Sequence, residues 1–502
     1  VTEEILPGKS TGTRSLHPMR AMAKLGYASG AMLDGIATQA INIFLFFYAT
    51  AVCGLPAALS GVALAAGLVV DAVVDPLIGS LSDGWHSRYG RRLPFMAIGV
   101  PGTMLFLSLI FALPIGWSVG ALATWLTLSS VGLRVSISLF LLPFNAVGAE
   151  LSDDYNERSS IAAWRWGFAM AGAVATVILG FGVFLGGPGG LSNRAAYLPF
   201  ALTLAAMLAI STIFSMRALH AMPERQHPPT RSQDLAHTRL LRELGELFRN
   251  RSFVVLFVGA LLLFTSSAIQ STLAIHANTY FWHMAPAQVQ AVTLALFLGL
   301  LCGAPLAGPV LRRLEKRTVL VFGIIGLGSA FSLPPTARLI GLMPQAGDPP
   351  VALLAGAVFV GGALMAMAAI AFASMMADAA DEHEYLFGAR REGLYFASWA
   401  FASKAASGFG ALIAGFAMQA IGLPSGAVAQ GSPVAAVSLT PHIISWIGLI
   451  YGPGTGVLAL AAALTCLLYR LDASAHRAII SHLAARHRSA TNPGNSHTES
   501  IA

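Results

Sequence analysis

Long apolar runs alternate along this chain with short polar connections. Runs of about 18 to 30 mostly apolar residues recur about twelve times, and each is long enough to cross a hydrocarbon layer of about 30 Å as a helix. They fall near 27–53, 58–82, 94–114, 118–143, 161–186, 194–217, 252–280, 286–311, 318–341, 351–376, 393–422 and 442–469. The first run follows a polar stretch without a small-residue cleavage site, so it is expected to remain as a span rather than to be removed as a signal peptide. The pattern predicts an all-α membrane protein with twelve transmembrane helices.

The long interior polar connection, carrying HAMPERQHPPTRSQDLAHTRLLRELGELFRNR, divides six spans from six. This gives a head over 1–26, a first half over 27–217, a linker over 218–251, a second half over 252–469 and a basic, partly disordered tail over 470–502. Within the linker, LLRELGELF sets apolar residues at helical spacing against Arg and Glu, the pattern of a helix lying on the membrane surface. A solvated linker helix is the alternative. The halves also echo each other. DGWHSRYGRR after span 2 is answered by LRRLEKR after span 8, and ELSDDYNER after span 4 by DAADEHEYLFGARRE after span 10. Parallel repeats of this kind are expected of transporters that rock two pseudo-symmetric halves about a site at mid-depth. The charged connections, with Asp83, Arg88 and Arg91, Asp154 and Arg158, and Glu384 and Arg391, are then expected to act as conformational switches.

Composition supports one large bundle: of 502 residues 56% are hydrophobic and 11% charged, about half the charged share of a soluble domain. The formal net charge of +7 raises the question of nucleic acid. However, basic residues gather in every second connection, as at Arg88, Arg91 and Arg92 or Arg312, Arg313, Lys316 and Arg317, while the alternate connections hold Arg194 and Arg338. This is the positive-inside bias. It predicts both termini in the cytoplasm, a cytoplasmic (inner) membrane location and the lipid bilayer, not nucleic acid, as the partner of the positive charge. A monomer is expected. Cys53, Cys302 and Cys466 are far apart in apolar runs and read as packing residues. Neither GxSxG, HExxH nor GxxxxGK[ST] occurs, so an enzyme is not expected and no cofactor is implied beyond a coupling ion.

Ionisable residues inside spans are costly and face a partner or a water-filled cavity. Asp34, Asp71, Asp75, Arg134, Arg165 and Lys404 lie well inside apolar runs. Asp71 and Asp75 are four residues apart on one helix, hence on one face and about 6 Å apart along the axis. Two acids so placed attract a cation, either H⁺ or Na⁺. Permanent ion pairs to basic side chains of other helices are the alternative. Lys404 lies roughly 17 Å into span 11, near the depth of Asp71, so a charge pair between the halves can tie cation occupancy to rocking. A static strut would have the same residues. Arg165 is expected to balance Asp75. For Arg134, pairing with Asp34 and pairing with an anionic substrate are both open. Thr38, Gln39, Asn42, Asn145, Gln270, His276 and Asn278 are candidates to hydrogen-bond a small-molecule substrate, and Trp164, Trp166, Trp282 and Trp399 to stack on one. Helix packing and the aromatic belt compete for each of them.

At DAVVDPLIGSLSD with RYGRRLPF, at PFNAVGAELSDDYNERSSIAAWR, at DEHEY and RREG, and at SKAASG, the chain resembles the glycoside–pentoside–hexuronide:cation symporters, the melibiose-permease branch of the major facilitator superfamily. The resemblance runs from about residue 24 to 470. It implies the major facilitator fold and alternating access driven by a cation. It also implies that Asp71 and Asp75 are the cation site, with Ser138 near a hydroxyl ligand, that Lys404 lies beside it, and that Arg165 lines the sugar pocket. Asp34 falls within one residue of an aspartate that binds galactoside hydroxyls in that family. Two positions depart from the pattern. Leu141 stands where a sugar-binding aspartate is expected, which argues against a galactoside, and Val74 replaces a polar residue, which tilts the ion from Na⁺ toward H⁺. Arg134 has no counterpart and would suit the carboxylate of a uronide. The branch also resembles animal lysolipid carriers, so an amphipathic substrate is the rival reading.

Overall fold

The computed structural model describes residues 21–152, 154–221, 245–344, 347–389, 391–424 and 439–491. Among the described residues eleven helices are long and apolar enough to cross a membrane: Ala57–Gly84, Leu93–Ile110, Val119–Gly148, Glu157–Phe184, Arg194–His220, Arg251–Phe281, Pro286–Leu311, Lys316–Leu339, Val351–Phe387, Glu392–Ala420 and Pro441–Leu467. Before them runs a helical stretch built from Ala21–Ser29, Met32–Gln39 and two π-helical pieces, Ala40–Leu45 and Tyr48–Val52. Counted as span 1, it brings the total to the expected twelve, and the others are numbered 2 to 12 in chain order.

Local chemistry sets several boundaries. Ser118, Asn250 and Thr440 cap spans 4, 7 and 12 by accepting hydrogen bonds from Ala121, Phe253 and Ile443 N–H, satisfying donors that a helix start leaves without partners. Span 10 runs on to Phe387 and stops at Gly388, whose φ of 79° suits glycine. The acidic run DAADEHEY is therefore helix, not the connecting loop expected from its charge. Its carboxylates are kept in the helix by partners: Asp378 by Lys316 at 2.6 Å and Asp381 by His476 at 3.1 Å.

The two halves repeat one packing scheme. In the first, span 1 packs on spans 5 and 6, span 4 on spans 2 and 3, and span 3 on span 6; in the second, span 7 packs on spans 11 and 12, span 10 on spans 8 and 9, and span 9 on span 12. Small residues permit the closest approaches. A Cβ on Gly35 would run into the carbonyl of Ala169, and one on Gly303 into that of Ala363. Between the halves, span 2 packs on span 11, span 5 on span 8, and span 1 on span 7.

These inter-half contacts are concentrated at the face opposite the chain termini. There Gly61 meets the Ala411 carbonyl, Gly182 meets Gln290, and Thr50 bonds His276. One apolar cluster runs through both halves at that face, joining Phe44 and Phe47 to Phe281 and Ile447, whereas Phe253, Met375, Tyr395 and Cys466 form a separate cluster within the second half. Toward the other face, Gly79, Gly84, Gly167 and Gly393 have open space where a Cβ would stand.

Most of the linker, including the start of its expected amphipathic helix, lies outside the described residues, and its last part, 245–249, is helical. The tail carries a helix, Ala473–Thr491, docked on the end of span 10 through His476 and through Arg486, which donates to the Tyr385 carbonyl at 3.2 Å.

Candidate functional site

Span 2 presents Asp71 and Asp75 one turn apart, with Pro76 following at once, so the backbone carbonyl one turn earlier loses its helical donor. Each acid meets a base from a different helix. Arg134 of span 4 donates from Nη1 to Asp71 Oδ2 at 3.2 Å. Lys404 of span 11 donates to Asp75 Oδ2 and stands 4.0 Å from Asp71 Oδ2. Asp71 is 6% exposed at its side chain, whereas Lys404 is 42% exposed, so the cluster is buried on its Asp71 side and wet on the other. Asp75 Oδ1 is enclosed and has no hydrogen-bond partner among the described residues. Two carboxylates facing an ammonium and a guanidinium sum to zero, and the Lys404 bond crosses from one half to the other.

The pairings settle as follows, and one expected pair, Arg165 with Asp75, does not form. Arg134 is held by Asp71, not by Asp34. Arg165 does not balance Asp75; it donates instead to Asn145 Oδ1 near the end of span 4 and lies 5.1 Å over the Phe144 ring. Lys404 bonds Asp75 and reaches Asp71 only at the longer distance. Asp34 is exposed and accepts from Thr38 at 3.2 Å. Ser138 is buried on span 4, one turn after Arg134 and so on the same face.

Beside this cluster, between the halves, lies a cavity of about 390 Å³. Gln39, Asn42, Arg134, Gln270, Asn278 and Thr293 supply polar groups to its wall, and Phe264, Leu296, Phe297, Leu300, Phe331 and Met365 an apolar side. Of the expected substrate contacts, Gln39, Asn42, Arg134, Gln270 and Asn278 line it, while Asp34, Thr38, Asn145 and Trp164 do not. His276 does not reach it either. It is wholly buried, with Nε2 2.9 Å from Thr50 Oγ1 and its ring between Phe46 and Phe47, and so pins span 7 to span 1.

The charged connections form clamps at the face nearer the termini. Arg91 and Arg92 bond Glu150, the last residue of the span 4 helix, at 2.8 and 2.9 Å, and Arg92 also bonds Asp83 at 3.0 Å. Lys316 with Asp378 repeats the relation in the second half, since both pairs tie the connection after the second span of a half to its fourth span. Arg92, Glu150, Lys316 and Asp378 were not among the expected switch residues, although the echo of the two connections pointed to them. Asp154 caps span 5 by accepting from Glu157 N–H at 2.8 Å, and Arg158 donates to the Ser152 carbonyl at 2.6 Å. Arg88 lies over the Tyr89 ring, Glu384 near the end of span 10 and Arg391 at the cap of span 11.

Two repeated bundles, a cavity between them and ion pairs from one half to the other define an integral membrane transporter of the major facilitator type. The chain belongs to the family described as MFS/sugar transport protein, whose sequence pattern matches residues 26–473, in agreement with the glycoside–pentoside–hexuronide:cation symporter motifs. It is 25% identical to the glucuronide carrier protein homolog of Escherichia coli K12 over 78% of this chain and 82% of that one. It is 21% identical to the isoprimeverose transporter of Lactiplantibacillus pentosus over 89% and 88%. With the sodium-dependent lysophosphatidylcholine symporter 1 of Xenopus tropicalis the match is 26% identical over 34% and 32%. The crystal structure of a D-xylose–proton symporter superposes with a TM-score of 0.59 at 15% identity, covering 89% of this chain and 97% of that one, a likeness of fold.

Proposed function

We propose that this chain is a cation-coupled symporter, driven by H⁺ or Na⁺, for a small glycoside, pentoside or uronide. It works by alternating access as a monomer in the cytoplasmic membrane with both termini inside. In that orientation the arrangement described is inward-facing, because the halves meet at the face away from the termini. The observation that carries the reading is the neutral foursome Asp71–Arg134 and Asp75–Lys404, shared between the halves and bordering the cavity. A cation arriving at Asp75, whose Oδ1 has no partner among the described residues, competes with Lys404 and so loosens the span 2 to span 11 contact. Occupancy then biases which face opens, as a ligand with different affinity for two states must. The volume of about 390 Å³ suits a mono- or disaccharide, being near the lower end of the range of about 300–1,000 Å³ for ligand pockets.

The cavity's apolar side favours a second reading, a carrier of a lysolipid or another amphipathic molecule. One experiment separates them. The full chain, purified and reconstituted in vesicles, is given a Na⁺ or pH gradient with radiolabelled sugars, uronides or lysolipids outside. Gradient-dependent accumulation of a sugar or uronide is expected, and accumulation of lysolipid alone would overturn the sugar reading. Affinity that rises with Na⁺ at fixed pH would assign Na⁺, and a response to pH alone H⁺.

A further inference from the structure

We propose that the helix Ala473–Thr491 is a proton-operated latch on the end of span 10, with His476 as its switch. The helix is held while His476 is protonated and is released when the proton leaves. The pH sensed is that of the compartment holding the termini, the cytoplasm in the orientation proposed above, and only that assignment rests on the symporter reading.

The helix has little else to hold it. Ala475 and Ile479 pack half-buried against the second half's cluster and Leu483 is buried, while Arg477, Ile480, Ser481 and His482 are exposed. Such a seam is thin for a helix of 19 residues, which takes most of its stability from packing, so the polar contacts decide docking. Near the start, His476 Nε2 stands 3.1 Å from Asp381 Oδ2 and 3.6 Å from Asp378 Oδ1. Further along, Arg486 donates to the Tyr385 carbonyl at 3.2 Å and lies 5.2 Å over its ring, and His482 meets the same ring at 5.9 Å. Arginine stays charged throughout the physiological range, and the partner of His482 is uncharged. Imidazole is the side chain that changes charge between about pH 5 and 8, so the His476 contact is the one that pH can break.

The surroundings give the sign. The charged groups around His476 are Glu315, Lys316 and Arg317 at the start of span 9, Asp378, Asp381 and Glu382 on span 10, and Asp472 and Arg477 of its own segment. Five carboxylates stand there against three bases, so an imidazolium is attracted and a neutral imidazole is not. Because the docked helix holds the proton against these carboxylates and the released helix leaves it in water, docking is favoured at low pH and lost as pH rises. Asp472 keeps its charge through this window, since hydrogen bonds from Ala475 N–H and the Ser474 hydroxyl hold its carboxyl below the ordinary range. Asp378 is shared: its Oδ2 takes Lys316 at 2.6 Å while its Oδ1 faces His476. The latch therefore draws on the carboxylate that clamps span 9 to span 10. A cavity of about 330 Å³ at the root of the helix, lined by Lys316, Asp378, Tyr469 and His476, gives the imidazole room to swing away.

The test uses the purified full chain in nanodiscs, spin-labelled at two exposed positions through Ser481→Cys and Leu386→Cys, with Cys302→Ser removing the exposed native thiol. Distance distributions between the labels give the ratio of docked to released helix. One proton changes that ratio by at most about 100-fold over two pH units, and a rise of at least about tenfold from pH 8 to pH 6 is expected. His476→Gln and Asp381→Asn are expected to flatten the response, His476→Arg to keep the helix docked at both pH values, and His482→Gln to respond as the wild type does. A ratio independent of pH in the wild type, or a response that survives His476→Gln, overturns the latch and leaves the symporter reading standing.

Discussion

Lys404 offers the sharpest perturbation, because among the described residues its ammonium is the one positive group contacting both acids. Lys404→Ala removes the bond to Asp75 and the 4.0 Å attraction to Asp71, leaving the cluster at −1. Breaking a buried pair by removing one partner costs about 3–5 kcal/mol. Here the lysine side chain is 42% exposed, so screening by water reduces the loss to about 2 kcal/mol. Asp75→Asn should cost a similar amount, since it leaves Lys404 excess. The double variant deletes both charges and leaves the Asp71–Arg134 pair neutral, so it should cost less than the sum by about 1–2 kcal/mol, within the range for directly contacting residues. Transport responds differently. One coupled monovalent cation sustains at most about tenfold accumulation for a tenfold ion gradient, or about 1.4 kcal/mol. All three variants should fall to no accumulation, with exchange down the substrate's own gradient retained. Unfolding midpoints of the purified protein give the cycle, and gradient-driven uptake at matched protein amount gives the coupling. Effects on stability that add within about 0.3 kcal/mol, together with wild-type accumulation by Lys404→Ala, would refute the reasoning: the pair would then be neither a bond nor a coupling device.

Other changes test the packing. Gly303→Ala puts a methyl into the Ala363 carbonyl and should cost about 1–3 kcal/mol, whereas Gly308→Ala meets nothing within 4 Å and should be close to neutral; denaturation of the two variants side by side checks the contrast. Thr50→Val leaves His276 Nε2 buried without its 2.9 Å partner, an expected loss of about 1–3 kcal/mol in unfolding measurements. Asp154→Ala removes the cap of span 5 and should cost about 1 kcal/mol, read from the same measurement. Outside the spans, hydrogen bonds from Ala475 N–H and the Ser474 hydroxyl hold the Asp472 carboxyl below its ordinary range. A depressed folded-state pKa gives stability that is present above the unfolded value and is lost as pH falls through the folded value. Protection from hydrogen exchange across Ala473–Thr491, taken relative to the intrinsic rate at each pH, should therefore fall in acid in the wild type and much less so in Asp472→Asn.

The fold was legible because its determinants are local or repeated. A run of apolar residues reports a span by itself, and charged connections report which face they occupy, since a lipid environment leaves few alternatives. The ends of spans were less legible. Charge made DAADEHEY look like a loop, yet Asp378 and Asp381 are paid for by Lys316 and His476, and the latter lies 95 residues away. Span 1 was read as one run, whereas it is divided among α and π segments, a division that no apolar periodicity records.

The site was legible as a set of charges and not as a set of pairs. Three acids and three bases within the spans suggested balance, but which of them form one electrical unit depends on how far each helix is rotated about its axis. That rotation places Arg134 of span 4 in the notch at Gly67 of span 2, and turns Arg165 to Asn145. The outcome is a closed foursome of zero net charge, with Asp34 and Arg165 outside it on neutral partners, Thr38 and Asn145. The distinction matters to mechanism. A cation entering a balanced foursome must displace a base, and that displacement acts on contacts that hold the halves in place. Had Arg165 completed the cluster in place of Arg134, the same charge count would have left the cavity wall uncharged.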